Sequence, residues 1–168
     1  YILLPLTCLA QPAALHFFKN APSQEIYDLL KDRKGYLWLA HDLGISRFDG
    51  TNFISLDHPL QNSASMTDLA EDQQGKIWCH NFNGQIFYED SMRLHLLTQY
   101  KYNEEVGYPR TVICGDELIA TSIKGVFVMN TGTFASRYYP LNHGSFSVAC
   151  LGKRVVLQGP SGWYCYEP

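Results

Sequence analysis

The six histidines of this sequence have the side chains best suited to acid–base catalysis and metal binding. They are spread along the chain as His16, His41, His58, His80, His95 and His143. Metal and catalytic sites place histidines at short fixed spacings such as His-x-His or His-Glu-x-x-His, and the sequence contains no such spacing. We therefore expect no metal site and no cofactor.

Two short segments carry other groups able to do chemistry, and both are predicted to be turns. Ser161 lies between glycines in "GPSGW" (159–163), but this segment departs from the Gly-x-Ser-x-Gly pattern that exposes a nucleophile. The acidic pair in "GDE" (115–117) has groups for proton transfer, yet Gly-Asp is typical of a tight turn. We expect no catalytic residue.

Polar side chains also gather in two segments that follow tryptophan-containing runs, "HDL" (41–43) and "HNFN" (80–83). Their imidazole and amide groups offer hydrogen bonds of the kind that orient a bound carbohydrate. The predicted ligand-binding residues are His41, Asp42, His80, Asn81 and Asn83. Whether they form one surface depends on the elements that carry them.

The composition predicts a globular region with a sizeable core and no affinity for nucleic acid. The chain has 168 residues, of which 46% are hydrophobic, and a formal net charge of −3. Lys and Arg are dispersed along the sequence, so it lacks the basic patch that nucleic acid or an anionic membrane surface requires.

The first ten residues, "YILLPLTCLA", are apolar and uncharged and precede Gln11. Small residues at Cys8 and Ala10 form the pattern that signal peptidase reads, and we interpret residues 1–10 as the remainder of a signal peptide. The alternatives are a buried N-terminal strand, which Pro5 disfavours, and lipidation at Cys8, whose flanking residues fit poorly. The mature protein is expected outside the cytoplasm.

Four cysteines follow residue 10: Cys79, Cys114, Cys150 and Cys165. The sequence has no Cys-x-x-Cys pair and no Cys/His cluster, which argues against a zinc site. An even number of cysteines in an exported protein allows disulfide bonds, with the pairing left open. We favour the alternative, in which each is a small buried hydrophobic residue.

The sequence repeats itself with a period of roughly forty residues. Residues 26–49 align with residues 66–89, and fainter copies lie at 111–130 and 147–166. The matched positions in the first two copies are Asp28/Asp68, Leu29/Leu69, Asp32/Asp72, Gly35/Gly75, Trp38/Trp78, Gly44/Gly84, Phe48/Tyr88 and Asp49/Glu89. A period of this length is typical of stacked structural modules.

Each repeat predicts short antiparallel strands rather than helices, because the later copies are rich in β-branched residues and interrupted by Gly or Asp. In the first repeat the strands are predicted at 26–31, 36–41, 45–49 and 51–56. In the first turn Asp32 is placed to accept backbone hydrogen bonds and Gly35 to supply a positive φ. The second turns are marked by Gly44, Gly84, Gly125 and Gly162.

Four antiparallel strands in about forty residues are typical of a β-propeller blade. We predict an all-β fold of about four such blades in an incomplete ring, within a partial propeller of residues 11–168. The blades are predicted near 21–60, 61–104, 105–142 and 143–168. Residues 15–20, "LHFFKN", precede the first repeat as "TNFISL" precedes the second, and are predicted to form an outer closing strand.

Two residue types recur inside the predicted strands. Trp38 and Trp78 lie mid-strand at matched positions, where stacked blades need a large apolar side chain, so we predict core packing rather than sugar stacking. Asp28 and Asp68 recur in the first strand. Two interpretations remain open for them: they face a central channel, or they hydrogen-bond to a neighbouring blade.

At these positions the sequence resembles the two-component regulator propeller repeat, approximately Val/Ile-x-x-Ile/Leu-x-x-Asp-x-x-Gly-x-Leu/Ile-Trp-Leu/Ile-Gly/Ala-Thr-x-x-Gly-Leu/Ile-x-x-Phe/Tyr. Residues 26–50 match nearly every position and end in "RFDG", with His41 in place of the usual Thr. The later copies have Ile119 and Val156 in place of the Trp. The resemblance covers about residues 15–166 and is strongest in the first half.

This resemblance implies the periplasmic sensor region of a histidine kinase or hybrid two-component protein. In that family, propellers precede an immunoglobulin-like domain, a membrane span and a cytoplasmic kinase, and members often sense glycan fragments. By the same resemblance we expect a non-catalytic N-terminal fragment that binds an oligosaccharide or another small ligand. Its partner is expected to be the rest of its own sensor kinase chain, anchored in the inner membrane, with a dimer as a further expectation for the full-length protein.

Two other classes of function remain open. A propeller enzyme such as a glycan lyase or hydrolase should gather several acids, Tyr or His at one rim, and the sequence shows no such excess. A protein-interaction scaffold would carry neither a ligand site nor a kinase. Membrane-span and kinase motifs in the full-length sequence would favour the sensor over both.

Overall fold

The computed structural model describes residues 20–101, 109–122, 124–141, 147–160 and 162–167, and their regular secondary structure consists of β-strands. Blade 1 comprises β1 (Ile26–Lys31), β2 (Leu37–His41), β3 (Gly44–Phe48) and β4 (Phe53–Leu56). Blade 2 comprises β5 (Met66–Glu71), β6 (Ile77–Asn81), β7 (Ile86–Asp90) and β8 (Arg93–Leu96). Blade 3 comprises β9 (Thr111–Cys114), β10 (Glu117–Ser122), β11 (Gly125–Asn130) and β12 (Ser136–Pro140). Blade 4 comprises β13 (Ser147–Leu151), β14 (Arg154–Gly159) and β15 (Gly162–Tyr166).

Each blade is an antiparallel sheet in which strands adjacent in sequence are paired. The first strands contact one another from blade to blade, in the order β1, β5, β9, β13, so they are the innermost strands. The four sheets therefore form an open arc of propeller blades, and the predicted all-β, incomplete ring is confirmed. The signal remainder predicted at 1–10, the outer strand predicted at 15–20 (apart from Asn20) and Ser161 lie outside the described residues.

Apolar clusters fill the three junctions between successive blades. The cluster at junction 1–2 contains Trp38, Ala40, Ile45, Met66, Ile77, Cys79, Phe87 and Leu94. The cluster at junction 2–3 contains Trp78, Ile86, Leu97, Leu118, Ala120, Phe127 and Met129. The cluster at junction 3–4 contains Cys114, Ile119, Val126, Val128, Val155 and Leu157. Trp38 and Trp78 are only 2% and 1% exposed, which confirms their predicted role in core packing.

The first turn of blade 1 is organised by one carboxylate. Asp32 Oδ1 accepts hydrogen bonds from the backbone N–H groups of Lys34 at 3.0 Å and Tyr36 at 2.8 Å. Asp32 Oδ2 accepts the indole N–H of Trp38 at 2.9 Å. Gly35 has a φ of +94°, a conformation that strains other residues. The turn and the core tryptophan are thus fixed together, a coupling that the sequence pattern did not reveal.

Blade 2 repeats this arrangement contact for contact. Asp72 Oδ1 accepts hydrogen bonds from the backbone N–H groups of Gln74 and Lys76, both at 2.9 Å. Asp72 Oδ2 accepts the indole N–H of Trp78 at 2.8 Å. Asp72 is 1% exposed, so these hydrogen bonds satisfy a buried carboxylate.

The second turn of blade 2 is one residue longer than that of blade 1, and this shifts the correspondence between the third strands. Trp38 pairs with Arg47 across β2 and β3, whereas Trp78 pairs with Tyr88 across β6 and β7. Tyr88 is therefore the structural counterpart of Arg47. Its alignment with Phe48, predicted from the sequence, is wrong by one position.

The cysteines depart from the expectation that each is a buried, unpaired hydrophobe. Cys114 and Cys150 form a disulfide bond that joins β9 to β13, with their Cα atoms 5.5 Å apart. Cys165 has a free thiol and is exposed, whereas Cys79 is free and buried. Burial raises the pKa of the Cys79 thiol to about 12, so this residue behaves as a hydrophobic side chain.

Candidate functional site

His41, the first predicted ligand-binding residue, lies at the end of β2 and is 1% exposed. Its Nε2 atom lies 2.9 Å from Ser46 Oγ, which in turn lies 2.8 Å from Ser55 Oγ. Its Nδ1 atom accepts the backbone N–H of Leu43 at 3.2 Å. Since Nδ1 is the acceptor, a neutral ring carries its proton on Nε2 and donates it toward Ser46. His41 therefore does not serve as a general base for this serine, which is itself fully buried.

The protonation of His41 should be linked to folding. Burial lowers the pKa of His41, and the nearby Asp42 carboxylate opposes this shift without cancelling it. As the pH falls below about 6.5, the unfolded imidazole takes up a proton that the folded one does not, so the His41 contribution to stability is lost.

This linkage is testable with His41→Asn, because asparagine is the residue at the equivalent position of blade 2, Asn81. We expect the midpoint temperature of the wild-type protein to fall, relative to the variant, as the pH is lowered from about 7.5 to 5.5. Thermal unfolding followed by circular dichroism at several pH values measures this difference. A difference that stays constant with pH would contradict the assignment.

Asn81 connects the second turn of blade 2 to the linker between β4 and β5. Its Oδ1 accepts the backbone N–H of Gln85 at 2.8 Å. Its Nδ2 donates to Asn62 Oδ1 at 2.9 Å and to Gln85 Oε1 at 2.8 Å. The side chain is fully buried, so these bonds are internal to the protein.

His80 and the recurrent acids of the first strands form an inter-blade network. Asp28 Oδ2 accepts the backbone N–H of Leu69 at 2.7 Å, and Asp68 Oδ2 accepts that of Thr111 at 3.1 Å. Each carboxylate thus joins its innermost strand to the next blade. Fully buried His80 places Nε2 3.1 Å from Asp68 Oδ2. Both interpretations of these acids hold, because Asp28 and Asp68 also line a cavity of about 460 Å³ among the first strands.

The charge of Asp68 is stabilised by its surroundings. Burial alone would raise the pKa of this carboxyl, but the hydrogen bond to His80 and neighbouring positive charge outweigh it, so the pKa lies below its ordinary value. Arg110 contributes from blade 3, with Nη1 3.4 Å from Asp68 Oδ1. Asp68 and Arg110 are 42 residues apart in the sequence, so this ion pair was not predicted from the sequence.

The structure places the five predicted ligand-binding residues in two different settings. His41, His80 and Asn81 hold internal contacts and are almost fully buried, whereas Asp42 and Asn83 reach the surface. The side chain of Asp42 is 32% exposed and accepts a hydrogen bond from Ser23, while Asn83 is exposed and donates to the carbonyl of Asn62 at 3.2 Å. They belong to one surface, here called the second-turn rim, formed by residues 41–44, 57–65 and 81–85.

Exposed apolar side chains lie on the second-turn rim and directly beside it. Tyr27 is 41% exposed and its ring centroid lies 4.9 Å from that of Phe82. Leu43 is 64% exposed. The rim thus combines hydrogen-bonding groups with an aromatic surface, as sites for small polar ligands commonly do.

Within the described ranges, no group of three or more His, Cys, Asp or Glu side chains is arranged to hold a metal ion. The part of the chain that the structure describes also contains no helix with the length and apolarity needed to cross a membrane.

The fold defines this protein as a β-propeller of which four blades form an open arc. Residues 20–42 match the family model described as "Two component regulator propeller". This match confirms the resemblance found in the sequence for the first repeat. No curated protein matches the chain in a sequence comparison.

Solved structures share this fold at low sequence identity. The extracellular domain of BT4673 from B. thetaiotaomicron, described as a one-component system, has a TM-score of 0.72 and 16% identity over 88% of this chain. That of BT3049 from the same organism, a hybrid two-component system, has a TM-score of 0.62 and 15% identity over 85% of the chain. Streptogramin B lyase has a TM-score of 0.65 and 16% identity over 90% of the chain. The chain spans 22%, 23% and 57% of these proteins respectively.

Proposed function

We propose that this chain is part of the ligand-sensing region of a two-component signalling protein, outside the cytoplasm, and has no catalytic role of its own. The observation that carries the proposal is the two-component regulator propeller repeat at residues 20–42. The likeness to the extracellular domains of BT4673 and BT3049 supports it. In this proposal residues 1–10 are the end of a signal peptide, and the partner is the kinase portion of the same protein, acting as a dimer.

The ligand surface in this proposal is the second-turn rim, and the ligand is an oligosaccharide or another small hydroxyl-rich molecule. Asp42 and Asn83 supply hydrogen-bonding groups, and Tyr27 supplies an exposed ring against which a sugar can pack. The rim is carried by rigid sheets, so it presents its turns in a fixed arrangement.

The test is a double variant, Asp42→Ala with Asn83→Ala, in the full-length protein. We expect the ligand concentration that gives half-maximal signalling to rise by about 5- to 150-fold, because two hydrogen-bonding groups are lost, each contributing about 0.5–1.5 kcal/mol. A transcriptional reporter of the signalling output, recorded across a panel of glycan fragments, measures the response. Thr51→Ala, exposed in the turn between β3 and β4 at the other end of blade 1, is the matched control. An unchanged dose response in the double variant would discard the rim as the ligand surface.

A propeller lyase is the second candidate, favoured by the likeness to streptogramin B lyase. The tautomer and burial of His41 argue against it as an exposed catalytic base. Incubation of the purified full-length protein with a streptogramin B distinguishes the two proposals. Turnover of this compound would favour the enzyme, and an intact compound together with ligand-dependent signalling would favour the sensor.

A further inference from the structure

Equivalent positions at junctions 1–2 and 2–3 carry different side chains. At junction 2–3, the ring centroid of Tyr88 lies 4.9 Å from that of Trp78 and 5.3 Å from that of Phe134. At junction 1–2, Arg47 replaces Tyr88 as the partner of the core tryptophan. Met92 takes the place of Phe134 in the turn before the fourth strand, with nearly the same φ, +62° against +61°. Two further aromatic rings therefore pack beside the core tryptophan at junction 2–3, and their counterparts at junction 1–2 are Arg47 and Met92.

The space left at junction 1–2 is a cavity of about 420 Å³ beside Trp38. Its blade 1 wall carries Lys34, Tyr36 and Arg47. The guanidinium carbon of Arg47 lies 4.2 Å from the centroid of the Tyr36 ring, and its Nε is buried without a hydrogen-bond partner. Asp32 also lines this wall, but its carboxylate is engaged by the first turn and by the Trp38 indole.

The blade 2 wall of the cavity carries two carboxylates. Glu89 is 7% exposed and accepts the backbone N–H of Met92 at 2.6 Å, and Asp90 accepts the hydroxyl of Ser91 at 2.9 Å. Across the described part of the chain, no ion pair within 4.0 Å joins these carboxylates to Lys34 or Arg47. A cationic wall thus faces an anionic wall without direct pairing.

Two further lining residues direct their polar ends toward blade 3 and so do not alter this charge pattern. Gln74 Oε1 accepts a hydrogen bond from Thr131 at 3.2 Å. The Lys76 ammonium lies 5.1 Å from the centroid of the Phe134 ring. The charges that face each other across this cavity are therefore Lys34 and Arg47 on one side and Glu89 and Asp90 on the other.

We propose that this cavity binds a small zwitterion of the α-amino acid class, with its carboxylate toward Arg47 and its ammonium group toward Glu89. A guanidinium binds a carboxylate through paired, charge-assisted hydrogen bonds. A simple anion would be repelled by Glu89 and a simple cation by Arg47, whereas a zwitterion supplies an oppositely charged partner to both side chains. The site lies at the first-turn end of the arc, opposite the second-turn rim, and does not depend on the proposed sensory function.

Isothermal titration of the full-length protein with glycine, L-alanine, L-glutamine and L-phenylalanine tests the proposal. We expect at least one of these probes to bind with a dissociation constant below about 1 mM. N-acetyl-L-alanine lacks the ammonium group and L-alaninamide lacks the carboxylate, and both are expected to bind at least tenfold more weakly than L-alanine. Arg47→Gln and Glu89→Gln should each weaken binding by at least tenfold. Arg93→Gln, exposed on β8, should bind as the wild-type protein does.

A double variant keeps the test independent of folding. Arg47→Tyr with Met92→Phe copies the aromatic filling of junction 2–3, so we expect a midpoint temperature at or above the wild-type value together with complete loss of binding. Failure of all four amino acids to bind the wild-type protein would overturn the proposal. Wild-type affinity in this double variant or in Arg47→Gln would also overturn it.

Discussion

Replacing Trp78 with alanine is expected to lower the free energy of unfolding by about 3–5 kcal/mol, the range for truncating a large buried aromatic side chain. The indole is 1% exposed and packs against the blade 3 residues Leu118 and Phe127 across junction 2–3. Its removal opens a cavity and also leaves the buried Asp72 carboxylate without its 2.8 Å hydrogen bond. The effect should therefore be larger than the loss of apolar contact alone.

Urea unfolding followed by circular dichroism measures this change. Trp163→Ala is the matched control, because Trp163 is 75% exposed in this chain and its truncation should alter stability by no more than about 0.5 kcal/mol. Trp78→Phe separates packing from hydrogen bonding, because it retains an aromatic ring but loses the indole N–H. Its free energy of unfolding should lie between those of Trp78→Ala and Trp163→Ala. A Trp78→Ala protein as stable as Trp163→Ala would show that the junction clusters do not hold the arc together.

The turns of the first repeat could be predicted from sequence because their signals are local. Asp32 and Gly35 mark a turn by their own chemistry, and the short apolar run around Trp38 is consistent with a buried strand. The observed β1, Ile26–Lys31, has the predicted bounds. The choice of strand over helix, in contrast, came from the later copies, whose β-branched residues indicate strands for every repeat.

The candidate site was harder to predict because burial depends on segments distant in sequence. His41 and Asn81 occur where a blade has exposed turns, so their polar side chains suggested a ligand surface. In the structure the linker at 57–65 passes over the second turn of blade 2. Its residues Asn62 and Ser63 accept hydrogen bonds from the side-chain amide of Asn81. Likewise, the extra residue in that turn changes which side chain pairs with Trp78. The residues of the turn do not themselves indicate this change.

The disulfide, in contrast, left a signal in the sequence. Cys114 and Cys150 are 36 residues apart, close to the length of one repeat, so they occupy matching places in β9 and β13. Equivalent positions on neighbouring innermost strands lie side by side in a propeller. Repeat register combined with cysteine position was therefore sufficient to identify the pair.

Removing this disulfide with Cys150→Ser is expected to destabilise junction 3–4 by about 4 kcal/mol, the loop-closure value for a separation of this size. Junctions 1–2 and 2–3 join their innermost strands through Asp28 and Asp68, which accept backbone hydrogen bonds from the next blade. In blade 3 the residue before β9 is Arg110, which turns back toward Asp68. The covalent bond thus takes over at junction 3–4 the role that a carboxylate has at the other two.

Hydrogen–deuterium exchange resolves where the stability is lost. In Cys150→Ser, and equally in the wild-type protein after reduction, we expect faster exchange in β13, β14 and β15 and unchanged exchange in blades 1 and 2, because the lost connection lies only between β9 and β13. Cys165→Ser, which alters an exposed free thiol, should exchange as the wild-type protein does. Equal protection of blade 4 with and without the disulfide would mean that the apolar cluster of Val126, Val128, Val155 and their neighbours suffices to hold the last blade in place.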